Sequence, residues 1–464
     1  MTGDVIVGLD FGSSRIKAAA YDRTGELAAV AAVDTPLRQH ADGDDFLVGG
    51  MLDAAAHAVG ELACAPGSIK GIAMASMGET GAIVTPTGIA DVDFPSWYDS
   101  RGADVVQRLE RLWGAVPMRN ATGRHLRTAS TVAKLGHVRA VNGPLPTGTF
   151  VGICGAFAWQ LTGALWQEAG LATTSGVFDI VKRDYLPWLW ADAGLANVAL
   201  APVAPAGHGE RATTPLARRL GLADDAVVVI AGHDHPVAAV GAGVRAGEVA
   251  DSMGTGEAII AVMGERGGDA AVLSQAMDAD PYLAFEIWPA DGSLLAVWER
   301  MRPGLAMRAF VDRSGIAREE LDALAPAPAP AHAFGDSESL ALEAGEDVAL
   351  EYSPRMWGEL VDFYVALANR GQRLLRETSL SDGATVLTGG GLRSPRWRAA
   401  KALLGDGPMA VSLVRETATR GCAAIVGTTL GWWPDPEGMP GALRHPIGPD
   451  AGADIEAAAR LIGW

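Results

Sequence analysis

The sequence has few cysteines, no long apolar run and a deficit of positive charge. Its three cysteines are too few and too widely spaced for a disulfide framework or a Cys-x-x-Cys metal site, which favours a reducing cytoplasm. Lys and Arg number 37 against 55 Asp and Glu, giving a formal net charge of −18. Nucleic acids and anionic membranes both require basic surfaces, so neither is expected as a partner. The N-terminus carries only a short apolar run, which predicts neither a signal peptide nor a membrane anchor.

Two common nucleotide-binding fingerprints are also absent. No G-x-x-x-x-G-K-[ST] sequence occurs, and the three glycines at 389–391 do not form the G-x-G-x-x-G pattern, so neither a P-loop nor a dinucleotide-binding fold is supported. What the chain does have is 464 residues, of which 49% are hydrophobic. This predicts a folded protein of two domains of about 230 residues each. We place the boundary near residue 225, giving domains 1–225 and 226–464.

Residues 227–262 carry the most informative pattern. A continuous apolar run over 227–231 predicts a buried strand, and the break that follows sets Asp234 at the carboxyl end of that strand. Pro236 and the small residues after it predict the start of a helix beside this acid. Open α/β sheets bind their ligands at such strand ends, so Asp234 is a candidate base. An isolated Asp here is more often only a helix cap, and that alternative stays open.

Two turns rich in Gly and hydroxyl residues are candidate phosphate-binding sites. Each follows an apolar strand that contains an acid, and such turns can direct backbone N–H groups at an anion, although most are simply turns. The repetition of strand, acid and turn about 240 residues apart predicts a duplicated domain. A lysine on the strand after the first turn could reach the phosphates or simply be solvated. The candidate residues are Asp10, Gly12, Ser13, Ser14 and Lys17 in and beside the first turn, and Gly254 and Thr255 in the second turn.

Several polar and aromatic side chains are suited to bind a sugar. A Trp ring can stack on the CH face of a sugar, while carboxylate and guanidinium groups hydrogen-bond its hydroxyls. Such a Trp closes a domain core about as often, so that alternative also stays open. The candidate acceptor-binding residues are Glu79, Trp97, Asp99, Arg101 and His235.

The C-terminal region contains a third candidate site. A strand over 384–388 is followed by the three glycines and then by a Ser-Pro helix start. Glycines before a helix N-terminus let a flat or anionic ligand approach the backbone, so Gly390, Gly391 and Ser394 are candidate nucleotide contacts. Helices are predicted over residues 55–63, 103–113, 131–141, 150–161, 215–220, 358–377 and 396–404.

These motifs, in this order, resemble the FGGY family of carbohydrate kinases. The resemblance spans essentially the whole chain and rests on residues 10–17, 232–234, 253–255 and 388–394. It implies an α/β fold of two actin- or hexokinase-like (ribonuclease H-like) domains, each a mixed β-sheet flanked by helices, with a cleft between them. It also implies transfer of the γ-phosphate of ATP to a hydroxyl of a sugar or polyol, with Asp234 as general base and Mg²⁺ held by Asp10 and Asp234 through water.

The sequence departs from the family pattern where other members bind the acceptor. Gly78 stands where glycerol kinases have an Arg and xylulokinases a His, and Ala129 stands where glycerol kinases use an aromatic residue. In the two turns, Arg15 replaces a small residue and Gly256 replaces a Ser. The identity of the acceptor therefore stays open. A three- to five-carbon polyol or ketose is favoured because the candidate acceptor residues would form a small polar pocket.

Three other classes of protein share some of these features. A non-catalytic actin-like ATP-binding protein would have the phosphate turns but would need no sugar-binding loop. A dehydrogenase would need the missing dinucleotide fingerprint. A metal hydrolase could use His233, Asp234 and His235, but consecutive residues on an extended chain alternate between faces and rarely converge on one ion. The sequence does not specify the oligomeric state and leaves a homodimer open.

Overall fold

The computed structural model describes residues 3–41, 43–264, 270–330, 334–378, 380–441, 444–448 and 450–463. The chain forms two compact units, the first made of Met1–Gly241, Gly267–Leu294 and Ala418–Gly441, and the second of Ala242–Arg266, Leu295–Thr417 and Ala442–Trp464. The boundary predicted near residue 225 lies inside a strand, and residues 226–241 belong to the first unit. In the described part of the chain no helix is both long enough and apolar enough to cross a membrane.

The elements up to residue 241 belong to the first unit. Its strands there are β1 (Val5–Phe11), β2 (Arg15–Tyr21), β3 (Leu27–Asp34), β4 (Leu37–His40), β5 (Gly43–Phe46), β6 (Ile69–Ser76), β7 (Gly81–Thr85), β8 (Gly88–Ile89), β9 (Phe94–Pro95), β10 (Gly148–Gly152), β11 (Gln167–Glu168), β12 (Phe178–Asp179), β13 (Asp184–Tyr185), β14 (Val198–Leu200), β15 (Val203–Ala204), β16 (Gly209–Arg211) and β17 (Leu222–His233). Its helices there are α1 (Val48–Glu61), α2 (Ala103–Trp113), α3 (Ala115–Thr122), α4 (Thr131–Asn142), α5 (Ile153–Thr162), α6 (Ala169–Thr173), α7 (Pro187–Trp190), α8 (Pro215–Arg219) and α9 (Asp234–Gly241), with a π turn at Ala191–Leu195.

The remaining elements follow residue 241. The strands are β18 (Val249–Met253), β19 (Glu257–Gly264), β20 (Leu283–Ile287), β21 (Leu294–Met301), β22 (Thr385–Thr388), β23 (Met409–Ser412) and β24 (Arg444–Ile447). The helices are α10 (Ala270–Ala279), α11 (Pro303–Ser314), α12 (Arg318–Leu324), α13 (Asp336–Glu343), α14 (Pro354–Glu377), α15 (Pro395–Leu404), α16 (Thr417–Thr429) and α17 (Ala451–Leu461), with 3-10 turns at Gly390–Arg393 and Pro436–Gly438.

The first unit is organised by a sheet with the strand order β16-β17-β6-β1-β2-β3. The antiparallel meander expected at the N-terminus is confirmed, since β1 pairs with β2 and β2 with β3. Beyond it, β6 lies parallel to β1 and β17 lies parallel to β6. Helices cover both faces of β1, and both faces are therefore apolar. On one face Val7 and Leu9 join the core formed with α1 and α5, and on the other Gly8 faces α16.

The second unit repeats this arrangement. Its strands run in the order β21-β19-β18-β22-β23-β24. Strands β18 and β19 form the predicted antiparallel hairpin, β22 lies parallel to β18, and β23 lies parallel to β22. In both sheets an antiparallel hairpin is followed, on the side of its first strand, by two parallel strands: β6 and β17 beside β1, and β22 and β23 beside β18. This shared order is what the predicted duplication requires.

Several predicted helices begin elsewhere than expected: the helix predicted over 55–63 begins at Val48, and the helix predicted over 358–377 begins at Pro354. The helix expected over 150–161 starts only at Ile153, because Gly148–Gly152 forms β10. Phe150 pairs with Ile83 of β7 on one side and with Leu200 of β14 on the other. Aromatic and β-branched residues favour such a pleated surface, and a short apolar run does not by its periodicity distinguish strand from helix. By contrast, the helix predicted over 103–113 is confirmed at both ends as α2.

Gly421 is the residue that lets α16 pack closely within the first unit. A Cβ at this position would lie 1.9 Å from the carbonyl oxygen of Val237, so Gly421→Ala requires the backbone to move. We expect a loss of about 1–3 kcal/mol in the free energy of unfolding, the usual cost of overpacking, measured by urea denaturation. The matched control is Gly60→Ala in α1, where an added Cβ meets no atom within 4 Å. Equal losses in the two variants would contradict the close packing at Gly421.

Candidate active site

The pairing of three strands brings the candidate residues of the first unit to one edge of its sheet. Asp10 of β1 stands opposite Ala75 of β6, and His233 of β17 stands opposite Ser76. Asp234 and the segment 77–79 follow directly. Neighbouring strands lie about 4.8 Å apart, which puts the ends of β1 and β17 roughly 10 Å from each other. The predicted phosphate turn, acceptor segment and base therefore leave the sheet side by side.

The first predicted phosphate turn is a tight hairpin tied to the predicted acceptor loop. The N–H of Gly12 donates to the carbonyl of Arg15 at 3.2 Å, and a Cβ on Gly12 would lie only 2.8 Å from that same oxygen. Ser13 Oγ accepts a hydrogen bond of 2.8 Å from the indole N–H of Trp97. Lys17 lies on β2 directly across from Asp10. The structure thus brings the turn, the lysine and the Trp together.

Asp234 is the first residue of α9 and is held by its neighbours. Its Oδ1 accepts the backbone N–H of His235 at 2.7 Å and lies 3.3 Å from Nε2 of His233. Nδ1 of His233 lies 3.0 Å from Glu286, which also receives the guanidinium of Arg124. Burial by itself lowers the pKa of His233, but the charge and hydrogen bond of Glu286, followed by the charge of Asp234, raise it to about 10. At neutral pH His233 is therefore an imidazolium, which donates from Nδ1 to Glu286 and forms an ion pair with Asp234 through Nε2.

Glu286, Arg124 and Glu168 were not singled out from the sequence. All three are buried, at 0%, 8% and 1% exposure. Glu168 caps α6 by accepting the N–H of Leu171 at 2.9 Å, and a Cβ on Gly232 would lie 3.2 Å from its Oε2. Burial, followed by the charge of Glu286, raises the pKa of Glu168 to about 7 against the opposing backbone hydrogen bonds. The only sequence signal for Glu168 is an acid at a helix cap, and the other two have none.

The predicted acceptor loop is fixed by a buried ion network. Arg101 donates to Asp99 Oδ2 at 2.7 Å and to Asp45 at 2.7 Å, and Lys134 donates to Asp99 Oδ1 at 2.8 Å. The side chain of Lys134 is 0% exposed. Burial tends to raise the pKa of Asp99, but hydrogen bonds from Arg101 and Lys134 lower it overall. Asp99 and Arg101 thus have partners within the loop that presents Trp97, and their contact with an acceptor stays a prediction.

The segment after β6 leaves no space for a side chain at residue 78, the position where the sequence departs from the family pattern. A Cβ on Gly78 would lie 2.3 Å from Cγ2 of Thr174, whose hydroxyl donates to the Gly78 carbonyl at 2.7 Å. Thr174 therefore occupies the space that a larger residue 78 would need. The next residue, Glu79, is partly exposed, and its carbonyl accepts the hydroxyl of Thr131 at 2.9 Å.

In the second unit, the predicted phosphate turn and nucleotide motif lie against each other. The N–H of Gly254 donates to Gly256 at 2.9 Å, which closes the turn. Gly389 has a φ of +94°, and a Cβ there would lie 2.5 Å from the carbonyl oxygen of Met253. Gly390 faces open space, with no atom within 4 Å of an added Cβ. Ser394 caps α15 as expected, its Oγ accepting the N–H of Trp397 at 3.1 Å.

The N-terminal domain model of the FGGY family of carbohydrate kinases matches residues 5–241, just over half of the 464 residues. The chain belongs to this family. An L-fuculokinase of Escherichia coli O157:H7 is 26% identical over 459 residues, covering 94% of this chain and 95% of that protein. An L-fuculokinase of Salmonella typhi is 28% identical over 286 residues, so the match spans only 60% of that relative's length. A xylulose kinase structure from Rhodospirillum rubrum has a TM-score of 0.77 at 20% identity, covering 99% of this chain and 96% of that one, and shows the same fold.

FGGY carbohydrate kinases use ATP with Mg²⁺, and the described residues fit that pair. Among the described residues, no group of three or more His, Cys, Asp or Glu side chains is arranged to hold a metal ion. Mg²⁺ is usually bound by substrate phosphates, water and only one or two carboxylates. Asp10 near the end of β1 and Asp234 directly after β17 lie at the same edge of the sheet. Both their charges add to the effect of burial, which raises the pKa of the Cys154 thiol. Their assignment as ligands stays a prediction.

Lys134 is expected to be essential for the stability of the acceptor loop. Lys134→Met removes a fully buried ammonium and leaves Asp99 with Arg101 as its remaining cation. We expect a loss of about 3 kcal/mol in the free energy of unfolding, the lower end for breaking a buried ion pair, measured by urea denaturation. Lys182→Met is the control, since Lys182 is 76% exposed in its ion pair with Asp179. A loss no larger than that of the control would show that the network does not stabilise the fold.

Proposed function

We propose that this chain transfers the γ-phosphate of ATP to a hydroxyl of a small sugar or polyol, with Asp234 as the general base. The observation that supports this best is the strand register that sets Asp10, the segment before Glu79 and Asp234 at one sheet edge. A purely ATP-binding, actin-like protein would need the phosphate turns alone. It would not need the buried chain of charges that ends on Asp234.

In the proposed reaction Asp234 orients the acceptor hydroxyl and takes its proton late. Both of its contacts, from His233 and from the N–H of His235, are made to Oδ1. They fix the plane of the carboxylate and leave Oδ2 for the acceptor. Phosphoryl transfer has a loose transition state in most analyses, so positioning matters more than basicity. The imidazolium of His233 holds this carboxylate in place through the ion pair at 3.3 Å.

Bound ATP with Mg²⁺ supplies the phosphoryl group and neutralises charge on its oxygens. The candidate donors toward that group are the backbone N–H and hydroxyl groups of Ser13, Ser14 and Thr255, because the N–H groups of Gly12 and Gly254 already close their own turns. The open space at Gly390 admits the nucleoside. In the first unit, Trp97 would stack on the acceptor and Glu79 would bond its hydroxyls, with Asp99, Arg101 and His235 as neighbouring candidates.

Two acceptor classes are proposed. A three- to five-carbon polyol or ketose suits the small group of polar candidate side chains around Glu79 and Trp97. L-Fuculose is the second candidate, because the L-fuculokinase that aligns over 94% of this chain carries that name. A coupled ADP-release assay with glycerol, D-xylulose, L-fuculose and related compounds tests both. One acceptor should raise ADP release at least about tenfold above the rate without acceptor. ATP hydrolysis unaffected by every compound would favour the actin-like alternative.

Asp234→Asn should lower kcat by about 10²–10⁴-fold and leave the Kd for ATP nearly unchanged. Asn keeps the shape of the side chain and can still cap the helix, but it cannot take the proton. The measurement is steady-state kinetics with the best acceptor, together with calorimetry for ATP. Asp225→Asn, an exposed position on the same strand, is the control. If turnover of Asp234→Asn stayed within about threefold of wild type, Asp234 would be only a helix cap.

Glu79→Ala and Trp97→Ala should each raise KM for the acceptor by about tenfold or more, since one lost polar or stacking contact is worth about 1–3 kcal/mol. KM for ATP should barely change. Glu61→Ala, at the exposed end of α1, is the control. Variants that melted at lower temperature but kept a normal acceptor KM would assign both residues to the core instead.

A further inference from the structure

Three charged side chains are buried together beneath the phosphate turn of the second unit. Lys401 Nζ lies 2.6 Å from Asp251 Oδ2 and 2.9 Å from Glu257 Oε1. The exposed fractions of the three side chains are 1%, 0% and 0%. Gln372 of α14 donates to the same Asp251 oxygen at 3.2 Å. None of these residues has a part in the chemistry proposed above.

The two acids stand on either side of the turn. Asp251 belongs to β18, and Glu257 is the first residue of β19. Glu257 pairs with Met253, the residue directly before Gly254. A single ammonium therefore ties the two hairpin strands together immediately below the residues that would face the phosphates.

The lysine comes from the helix whose beginning carries the candidate nucleotide contact. Helix α15 starts after Ser394, and Lys401 lies two turns further along, about 10 Å down the axis. A helix segment of this length is rigid. The bonds of Lys401 thus fix the distance between the turn at 254–256 and the N-terminus of α15.

Stability alone explains this cluster poorly. Buried ion pairs can often be replaced by apolar residues of similar volume without loss, because desolvation offsets their attraction. Burial raises the pKa of Glu257 well above its usual range, against the opposing charge of Lys401 and with a further contribution from Asp251. Lys401 and Gln372 together donate three hydrogen bonds to the two acids, and a polar network of this kind specifies one arrangement of the elements that it joins.

We propose that Lys401 is a positioning residue for the nucleotide, because its bonds to Asp251 and Glu257 hold the turn at 254–256 and the start of α15 in one fixed geometry. This rests on the proposed function, which takes that turn as a site for ATP phosphates. A phosphate cradle that shifts by about 1 Å can lose up to about 10²-fold in activity, so a rigid anchor has a direct use here.

The double variant Lys401→Met/Asp251→Asn tests the proposal, since it removes the ammonium and one acid and leaves only Glu257, whose pKa burial raises well above its usual range. The side-chain volumes are nearly kept. We expect the Kd for ADP with Mg²⁺, measured by calorimetry, to rise by about tenfold or more. KM for ATP should rise in parallel, while KM for the acceptor stays unchanged.

The matched control is Arg396→Met/Asp362→Asn. This pair joins the same helix α15 to α14 instead of the hairpin, at 2.8 Å, and its side chains are 3% and 4% exposed. It should lower the melting temperature by a similar amount without changing the Kd for ADP.

Three results would overturn the proposal. An unchanged Kd for ADP in the Lys401 variant, with wild type binding ADP normally, would show that the cluster has no positioning role and would leave the proposed function intact. Equal weakening in both double variants would show a general effect of lost stability. A wild-type protein that bound no ADP at all would overturn the proposed function, and the role of Lys401 with it.

Discussion

The parallel pairing of β1, β6 and β17 is the constraint on which the candidate site of the first unit depends. Because all three strands run in the same direction, their carboxyl ends meet at one edge, and each is followed at once by a polar segment. A slip of one residue in any pair would turn Asp10 or His233 to the opposite face of the sheet. The register is protected by the apolar faces on both sides and by Gly8, where an added Cβ would lie 1.9 Å from the carbonyl oxygen of Thr419.

Both units also hold a candidate site loop on a fully buried lysine. Lys134 binds Asp99 in the loop that presents Trp97, and Lys401 binds Asp251 beside the turn at 254–256. In each case the ammonium comes from a helix. Asp99 lies in the loop that it holds, whereas Asp251 lies on the buried strand β18 just before the turn. A polar or Gly-rich loop cannot be held by hydrophobic burial alone. A directional charged hydrogen bond fixes it at one position, at the cost of desolvating both groups.

The sequence was sufficient where the determining contacts are local. The strand, acid and turn of each hairpin, the limits of α2 and the cap at Ser394 all follow from neighbours within a few residues, and the structure confirms them. It was insufficient where partners are distant along the chain. Glu286 is 53 residues from His233, and Lys401 is 150 residues from Asp251. Nothing in the local pattern of a buried Glu or Lys says which charge it will meet, so these anchors appear only in the fold.

The duplicated hairpins show how one topology can serve two purposes. Asp10 stands two residues before Gly12, whereas Asp251 stands three residues before Gly254. Since successive side chains on a strand point to opposite faces, this difference of one residue sends the two acids to different sides of their sheets. Asp10 is partly exposed at the sheet edge beside the proposed base, and Asp251 is fully buried on Lys401. In the first unit the acid therefore lies at the edge where the proposed base stands, and in the second it binds the buried Lys401 beside the turn.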